Sequence, residues 1–292
     1  MIDHNRQKKI AVINDFSGFG RCSIAVSMPI LSALKVQCCP VPTSIFSNHT
    51  GFPQFFFDDY TDKMQAYIDN WKKLDLQFNG IQTGFLGSER QIAIVQKFLE
   101  DFCTAHTTVV IDPQKLTQYK AKNLVIDPVM GDHGSMYPTY TEGMCQSMKK
   151  LVAYADILTP NLTEACILTD TPFHEGHWTM KELDVLARKL AEQGPEKIVI
   201  TGIPQKAYVS NLIYEKGGDA KLLRTLRIGS ERSGTGDVFS SIIAADAVNQ
   251  VPFEASVRKA SRFIKKCILR SIEMGLPKTD GVCFEEYLTT LK

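Results

Sequence analysis

The sequence lacks an excess of charge of either sign, long apolar runs and closely paired cysteines. Its 292 residues include 33 basic and 32 acidic side chains, so nothing in the composition predicts binding to nucleic acid or to an anionic membrane. No run approaches the ~18 apolar residues of a membrane-spanning helix, and the charged start, MIDHNRQKKI, has no apolar segment of signal-peptide type. The eight cysteines form no CxxC pair, so we expect reduced, buried thiols. These absences predict a cytoplasmic protein that binds a small molecule.

Two common nucleotide-binding patterns are also missing. The chain has no Walker A sequence, and Gly18-Phe19-Gly20 lacks the third glycine of a dinucleotide fingerprint. The end of the second predicted strand, PVPTSIF, carries no acid that could bind a ribose. Any phosphate site must therefore be built from a different glycine-rich turn.

Strand-like and helix-like runs alternate through most of the chain, which is typical of an α/β fold with a mainly parallel central sheet and helices on both faces. The predicted strands are 9–14, 40–46, 78–84, 109–112, 124–127, 156–160 and 197–202. The predicted helices lie near 22–34, 60–73, 88–103, 141–153, from 162, and near 179–193, 236–249 and 253–274. Segments 207–215 and 221–227 predict a hairpin that adds a small antiparallel edge. No proline- or serine-rich linker divides the sequence, so we expect one domain over residues 1–292.

The stretch RSGTGDVF (232–239) places two glycines and an acid where an apolar helix begins. A helix start exposes unpaired N–H groups, and Gly234 and Gly236 would let these groups converge on an anion without an intervening Cβ. The negative charge of Asp237 would repel a bound anion, so an acid is unfavourable here unless it accepts a proton. Phosphoryl transfer to an alcohol requires such a proton acceptor. The alternative is that Asp237 only caps the helix and Gly234 makes a tight turn. The turn alone leaves both interpretations open.

Further acids follow other predicted strands. DPVMGD places Asp127 at a strand end and Asp132 five residues later, and TPNLTE adds Asn161 and Glu164 after another strand. Dispersed oxygen ligands of this kind suit Mg²⁺, which keeps several waters and is shared with substrate phosphates. Each acid alone is more simply a cap or a solvated side chain. Their common position at the carboxyl ends of strands, where open α/β sheets bind ligands, favours a shared site.

These motifs together resemble one known family. GTGD, DPVMGD, GSMY (134–137), TPN..EA (159–165), FSNHTG (46–51) and TGFLGS (83–88) occur in the order and spacing of the pyridoxal kinases. The resemblance runs from about residue 9 to residue 275. Pyridoxal kinases are vitamin B6 kinases of the ribokinase-like superfamily, so it implies that fold and the ATP-dependent phosphorylation of the 5′-hydroxymethyl group of pyridoxal, pyridoxine or pyridoxamine.

The resemblance also implies a role for each group of site residues. The transfer would be performed by the base Asp237 and by an anion hole made of Gly234, Thr235 and Gly236. Mg²⁺ would be surrounded, mostly through waters, by Asp127, Asp132 and Glu164. The nucleotide phosphates would be approached by Thr159, Asn161 and Thr201, with Arg227 where the family often has a basic residue. The substrate ring would be contacted by His49 and Thr50, with Phe85 packed near it. A homodimer and activation by K⁺ are implied as well.

Two features depart from the family pattern. Asp15 stands where pyridoxal kinases usually have a serine near the ring, and its carboxylate would pair with a protonated ring nitrogen or an amine. The segment 105–122 is longer than expected before DPVMGD. The main alternatives are a hydroxymethylpyrimidine kinase of thiamine metabolism, which shares the GTGD turn and the acids, and a non-catalytic homologue that binds pyridoxal phosphate. A sugar kinase is disfavoured because the sequence has no insertion for a sugar-binding lid.

Overall fold

A nine-stranded sheet organises the computed structural model, which describes residues 4–103 and 123–291. The strands are β1 Lys9–Ser17, β2 Gln37–Phe46, β3 Phe57–Asp59, β4 Gly80–Thr83, β5 Leu124–Ile126, β6 Gly131–Asp132, β7 Ser135–Met136, β8 Ile157–Leu158, β9 Lys197–Gln205, β10 Tyr208–Glu215 and β11 Lys221–Leu226. Their order in the large sheet is β11-β10-β9-β8-β5-β4-β1-β2-β3, and β6 pairs with β7 in a separate small sheet. The predicted strand at 109–112 lies outside the described residues.

The six central strands, from β2 to β9, pair in parallel, as predicted. Successive residues of a strand point to opposite faces, so a strand that is apolar throughout must be covered on both sides. In β1, Ala11 and Ile13 belong to the core on one face, whereas Ile10 and Val12 belong to the core on the other. The mainly parallel sheet covered on both faces is thereby confirmed.

Eight α-helices within the described residues cover the sheet: α1 Ser23–Ala33, α2 Thr61–Lys73, α3 Glu89–Cys103, α4 Glu142–Val152, α5 Leu162–Leu168, α6 Met180–Glu192, α7 Thr235–Val248 and α8 Phe253–Glu273. Helix α7 is buried on nearly all sides because it lies between the sheet and the helices α1 and α8. This burial fixes the position of its first turn, which carries the GTGD motif. None of the helices in the two described ranges is both long and apolar enough to cross a membrane.

Antiparallel strands close both edges of the sheet. The predicted hairpin is confirmed: β10 and β11 extend the sheet from β9. At the other edge, β3 pairs with only the last three residues of β2, a short strand that the sequence did not predict. Pro40 and Pro42 therefore lie on the part of β2 that has no outer neighbour among the described strands, where a residue without an N–H group is tolerated.

The cysteines with described side chains are free thiols, as expected. Five of them are buried, but Cys38 and Cys39 are only half-buried, so the expectation of general burial was wrong for this pair. Both lie on β2, the strand whose outer side is only partly covered by β3.

Candidate active site

The carboxyl ends of the parallel strands bring most of the predicted site residues to one edge of the sheet. Asp15 lies near the end of β1, Phe85 follows β4, and Asp127 follows β5. Thr159 follows β8, and Thr201 lies within β9. The first turn of α7 reaches the same edge, because an amide of Asn14 in β1 donates a hydrogen bond to Asp237 over 3.1 Å. The sheet edge and the glycine-rich turn thus form one site.

Gly234 and Gly236 serve different purposes in the turn. Gly234 is the N-cap of α7 with φ of 76°, and a Cβ at this position would overlap the carbonyl oxygen of Arg21. Gly236 is helical and exposed, and a Cβ there would come no closer than 4.0 Å to Asp127 Oδ2. The fold therefore requires glycine at 234, whereas at 236 a Cβ would meet only open space at the start of the helix. The hydroxyl of Thr235 donates to the carbonyl of Arg232 over 3.2 Å and holds the turn closed.

Asp237 does not act as the N-cap of α7, because Gly234 occupies that position. Its half-buried carboxylate accepts hydrogen bonds from the Asn14 amide and from the backbone N–H of Ser23, the first residue of α1. Burial raises the pKa of Asp237, and these donors act in the opposite direction. A carboxylate with a raised pKa at the start of a helix is suited to accept a proton beside a bound anion.

Asp15 lies beneath the site and is only 6% exposed. Its two oxygens accept hydrogen bonds from the hydroxyls of Ser23, over 2.6 Å, and Ser17, over 2.9 Å. Burial raises the pKa of Asp15 to about 6, and the negative charge of Asp237 adds to this effect. The structure thus shows that Asp15 organises the segment 17–23, and the contact with a substrate ring stays a prediction.

Asp127, Asp132 and Glu164 offer the oxygen donors that Mg²⁺ prefers. Asp127 is half-buried, and burial together with the charge of Asp237 raises its pKa. Glu164 is 3% exposed, and burial together with the charge of Asp127 raises its pKa well above the ordinary value. Close carboxylates that raise one another's pKa fit a bound cation, which would favour their charged forms. The donor set therefore suits Mg²⁺.

Existing hydrogen bonds limit how these acids would hold a metal ion. The oxygens of Glu164 accept from the backbone N–H groups of Met130, over 3.2 Å, and Asn161, over 2.8 Å. Asp132 is exposed and accepts from the N–H of His133 over 2.8 Å. Because each oxygen of Glu164 already accepts a hydrogen bond, Glu164 is better suited to contact Mg²⁺ through a water than directly. Asp132, His133 and Glu231 also lie close together on the surface.

The residues predicted to approach phosphates are mostly engaged with the backbone. Asn161 caps α5 by accepting from the N–H of Glu164 over 2.9 Å, and its amide donates to the carbonyl of Gly131 over 2.8 Å. Thr159 is buried, and its hydroxyl approaches the carbonyl of Ile126 at 3.4 Å. The loop after β8, which carries Thr159 and Asn161, is thereby tied to the DPVMGD loop.

The two further phosphate candidates are Thr201, in β9, and Arg227, after β11. The backbone N–H of Thr201 donates to the carbonyl of Pro160 over 2.8 Å, beside the residue that caps α5. Arg227 directly follows β11 and is exposed. Their roles toward a nucleotide stay predictions.

The predicted substrate motif FSNHTG begins at the end of β2, the strand that pairs with β1. Both ring nitrogens of His49 have protein partners: Nδ1 accepts from the N–H of Gly51 over 3.1 Å, and Nε2 lies 2.8 Å from the carbonyl oxygen of Thr279. This arrangement requires the neutral tautomer with the proton on Nε2. Thr50 is exposed. A substrate contact of His49 would therefore use the ring surface, and it stays a prediction.

Phe85 is half-buried and packs against Phe46, with 6.2 Å between the ring centroids. Its main chain is held at both ends: the N–H donates to Asn14 over 2.8 Å, and the carbonyl accepts from the hydroxyl of Thr43 over 3.0 Å. The predicted ring-packing residue is thus fixed in place by its backbone.

Sequence reasoning missed three residues that build the site: Asn14, Ser23 and Arg232. The guanidinium of Arg232 donates to the carbonyls of Pro277 and Leu276 and so ties the GTGD turn to the segment after α8. Only Asn14 had a visible signal, because a polar residue at the end of the apolar run KIAVIN needs a specific partner when buried. The contacts of Ser23 with Asp237 and of Arg232 with Leu276 and Pro277 join segments that are far apart in sequence and leave no local pattern.

The chain is similar to several known proteins. The sequence profile of the phosphomethylpyrimidine kinase family matches residues 114–281. A solved Bacteroides thetaiotaomicron protein, provisionally named a phosphomethylpyrimidine kinase, is 36% identical, with a TM-score of 0.90 over 100% of this chain and 96% of that protein. A second crystal form of it, solved with pyridoxal, is similar at 35% identity and a TM-score of 0.87, over 98% of this chain and 96% of that one.

Kinases of vitamin B6 are also similar. The pyridoxine/pyridoxal/pyridoxamine kinase of Bordetella avium is 27% identical over 90% of this chain and 86% of its own length. The pyridoxal kinase of Leishmania donovani, solved with ADP and pyridoxamine, shares the fold at 21% identity, with a TM-score of 0.84 over 97% of this chain and 95% of that one. With more than half of its residues matched by the family profile, the protein belongs to the phosphomethylpyrimidine kinase family and has the ribokinase-like fold of the pyridoxal kinases.

Proposed function

We propose that the protein is an ATP- and Mg²⁺-dependent kinase that phosphorylates the 5′-hydroxymethyl group of pyridoxal, pyridoxine or pyridoxamine. The observation that carries the proposal is the first turn of α7, which holds both Asp237 and the exposed residue Gly236. The N–H groups of a first helical turn have no partner within the helix. A proton acceptor and an anion hole in one helical turn are what phosphoryl transfer to an alcohol requires.

In the proposed step, the substrate oxygen attacks the γ-phosphorus of ATP while its proton passes to Asp237. The new O–P bond forms as the bond from the γ-phosphorus to the bridging oxygen breaks, and ADP leaves. The N–H groups of Thr235 and Gly236 bind the phosphoryl oxygens during the transfer. Asp127, Asp132 and Glu164 would hold Mg²⁺, which supplies positive charge to the phosphates. Asn161, Thr159, Thr201 and Arg227 would lie along the nucleotide.

A B6 vitamer is favoured as the substrate over hydroxymethylpyrimidine. The Bacteroides thetaiotaomicron protein solved with pyridoxal covers nearly the whole chain at 35% identity. In this proposal, His49 and Thr50 of the FSNHTG motif and the fixed Phe85 would surround the pyridine ring. The family profile bears the name of a pyrimidine kinase, so a hydroxymethylpyrimidine kinase is the second candidate. A homodimer, activation by K⁺ and a cytoplasmic location belong to the same proposal.

The first experiment measures ATP turnover by the purified protein with Mg²⁺ and each of four alcohols: pyridoxal, pyridoxine, pyridoxamine and hydroxymethylpyrimidine. We expect the highest kcat/KM with a B6 vitamer. Preference for the pyrimidine would assign the protein to thiamine metabolism with the same chemistry. No turnover with any of the four would reject the kinase proposal and favour a non-catalytic protein that binds pyridoxal phosphate.

Asp237→Asn tests the assignment of the base. We expect kcat to fall by roughly 10²–10⁴-fold, because the amide cannot accept the proton, while pyridoxal binding persists. Asp219→Asn, an exposed change in the turn between β10 and β11, is the matched control and should leave kcat unchanged. Wild-type turnover by Asp237→Asn would show that another group accepts the proton.

A further inference from the structure

We propose that Asn14 is a positioning residue that sets the geometry between the base Asp237 and the ring-packing residue Phe85. The inference rests on the proposed function, since it assigns Asn14 a task in the same phosphoryl transfer. Asn14 lies in β1 and is only 2% exposed, so it acts through its neighbours rather than by touching the nucleotide.

The hydrogen bonds of Asn14 connect three separate elements. Its Oδ1 accepts from two backbone N–H groups, that of Asp15 over 2.9 Å and that of Phe85 over 2.8 Å. Because both partners are donors, the amide orientation is fixed with the oxygen on their side. The Nδ2 group must then face Asp237, to which it donates over 3.1 Å. One side chain therefore joins β1, the loop after β4 and the first turn of α7.

The loop after β4 packs closely against Asn14. Gly84 precedes Phe85, and a Cβ at Gly84 would overlap the side-chain amide of Asn14. The carbonyl of Phe85 is held in turn by the hydroxyl of Thr43 over 3.0 Å. The peptide of Phe85 is therefore clamped from both sides, and Asn14 transmits its position to Asp237.

This connection matters for the reaction because base and substrate lie on different elements. The alcohol is placed by the residues around its ring, including Phe85, whereas the base is placed by α7. A displacement of about 1 Å between reacting groups can cost 10²-fold in rate. Removal of the Asn14 amide should thus lower kcat far more than it raises KM for ATP, whose phosphates would contact other residues.

The experiment is a double-mutant cycle between Asn14 and Asp237. Asn14→Ser removes the amide without adding charge, and Asn14→Asp keeps the shape but cannot donate. In the wild-type background we expect either change to lower kcat with a B6 vitamer at least about tenfold, with KM for ATP changed less than about threefold. In the Asp237→Asn background, where residual turnover is followed with radiolabelled ATP, the same changes should have almost no further effect on kcat.

Asn249→Ser is the matched control, because Asn249 also bridges two elements through its side chain, at the opposite end of α7. It should leave kcat unchanged in both backgrounds. If the Asn14 changes lowered kcat by the same factor in the wild-type and the Asp237→Asn backgrounds, the role of Asn14 would be merely structural and the inference would be overturned. Failure of both Asn14 variants to fold, judged by thermal denaturation, would also assign the residue to the fold and overturn it.

The outcome is separable from that of the proposed function. If the wild-type protein phosphorylates none of the four alcohols, the proposed function fails. If it phosphorylates one of them but the cycle shows no coupling, only the role of Asn14 fails.

Discussion

Alanine replacements at Gly234 and Gly236 should separate the demands of the fold from those of the reaction. Gly234 has φ of 76°, and a Cβ there would overlap the carbonyl of Arg21. A left-handed conformation costs an alanine about 1 kcal/mol, and forced overlap in a packed region typically costs about 1–3 kcal/mol more. We therefore expect Gly234→Ala to lower the free energy of unfolding by about 3 kcal/mol, and Tm by roughly 5 °C or more.

Gly236→Ala should give the opposite pattern. Gly236 lies in α7, and its Cβ would have open space, so alanine has no steric cost and favours the helix by up to about 1 kcal/mol. The added methyl group would, however, occupy the space in front of the N–H groups. Loss of one such donor typically lowers kcat by about 10²–10³-fold. We therefore expect an unchanged or slightly higher Tm together with a kcat lowered about 100-fold.

Both variants are compared by thermal denaturation and by steady-state turnover of ATP with the preferred alcohol. Circular dichroism of the folded proteins serves as the control for an intact helix. Full activity of Gly236→Ala would refute the reasoning, because the phosphoryl group would then not bind at this turn. A wild-type Tm for Gly234→Ala would show that the segment around Arg21 yields without cost.

Two further predictions concern stability. Burial raises the pKa of Asp15 to about 6, so ionisation weakens the folded state as pH rises from the ordinary value of 3.8 through 6. Between pH 4 and 7 the free energy of unfolding of the wild type, measured by urea denaturation, should therefore fall by up to about 3 kcal/mol relative to that of Asp15→Asn. A difference in stability between the two proteins that does not change with pH would contradict this. Asp246 is fully buried, and its Oδ1 lies 2.6 Å from Lys259 Nζ, so Lys259→Met should lower the free energy of unfolding by about 3 kcal/mol. Asp246→Leu added to Lys259→Met should recover most of that loss. If Lys259→Met alone were as stable as the wild type, the buried acid would need no partner.

The sequence predicted the central sheet because its strands are apolar on both faces, a pattern that only a covered parallel sheet explains. It predicted strand ends less well. β1 continues through Asn14 and Asp15 to Ser17, although polar residues usually indicate a loop, because Phe16 and Ser17 pair with the end of β2. The strand β3 was missed because three residues are too few to show a periodicity.

The candidate site could be predicted where topology alone fixes it. Parallel strands end at the same edge, so residues after different strands, such as Asp127 and Thr159, must approach one another. Contacts between distant segments could not be predicted. His49 meets the carbonyl of Thr279, 230 residues away, and no local pattern indicates such a pairing. The glycines of the turn also looked equivalent in sequence, and only the approach of Arg21 distinguishes Gly234.

The electrostatics of the site favour phosphoryl transfer over simple binding of a phosphorylated vitamin. Asp15, Asp127, Glu164 and Asp237 lie at one edge of the sheet, and none of the ion pairs within residues 4–103 and 123–291 includes them. Neutral hydroxyl, amide and N–H donors hold them instead, so burial raises the pKa of all four. Buried carboxylates repel a phosphate unless a cation accompanies it. A protein that only retained pyridoxal phosphate would bind it better without these acids, whereas a kinase needs one as a base and others to hold a metal ion.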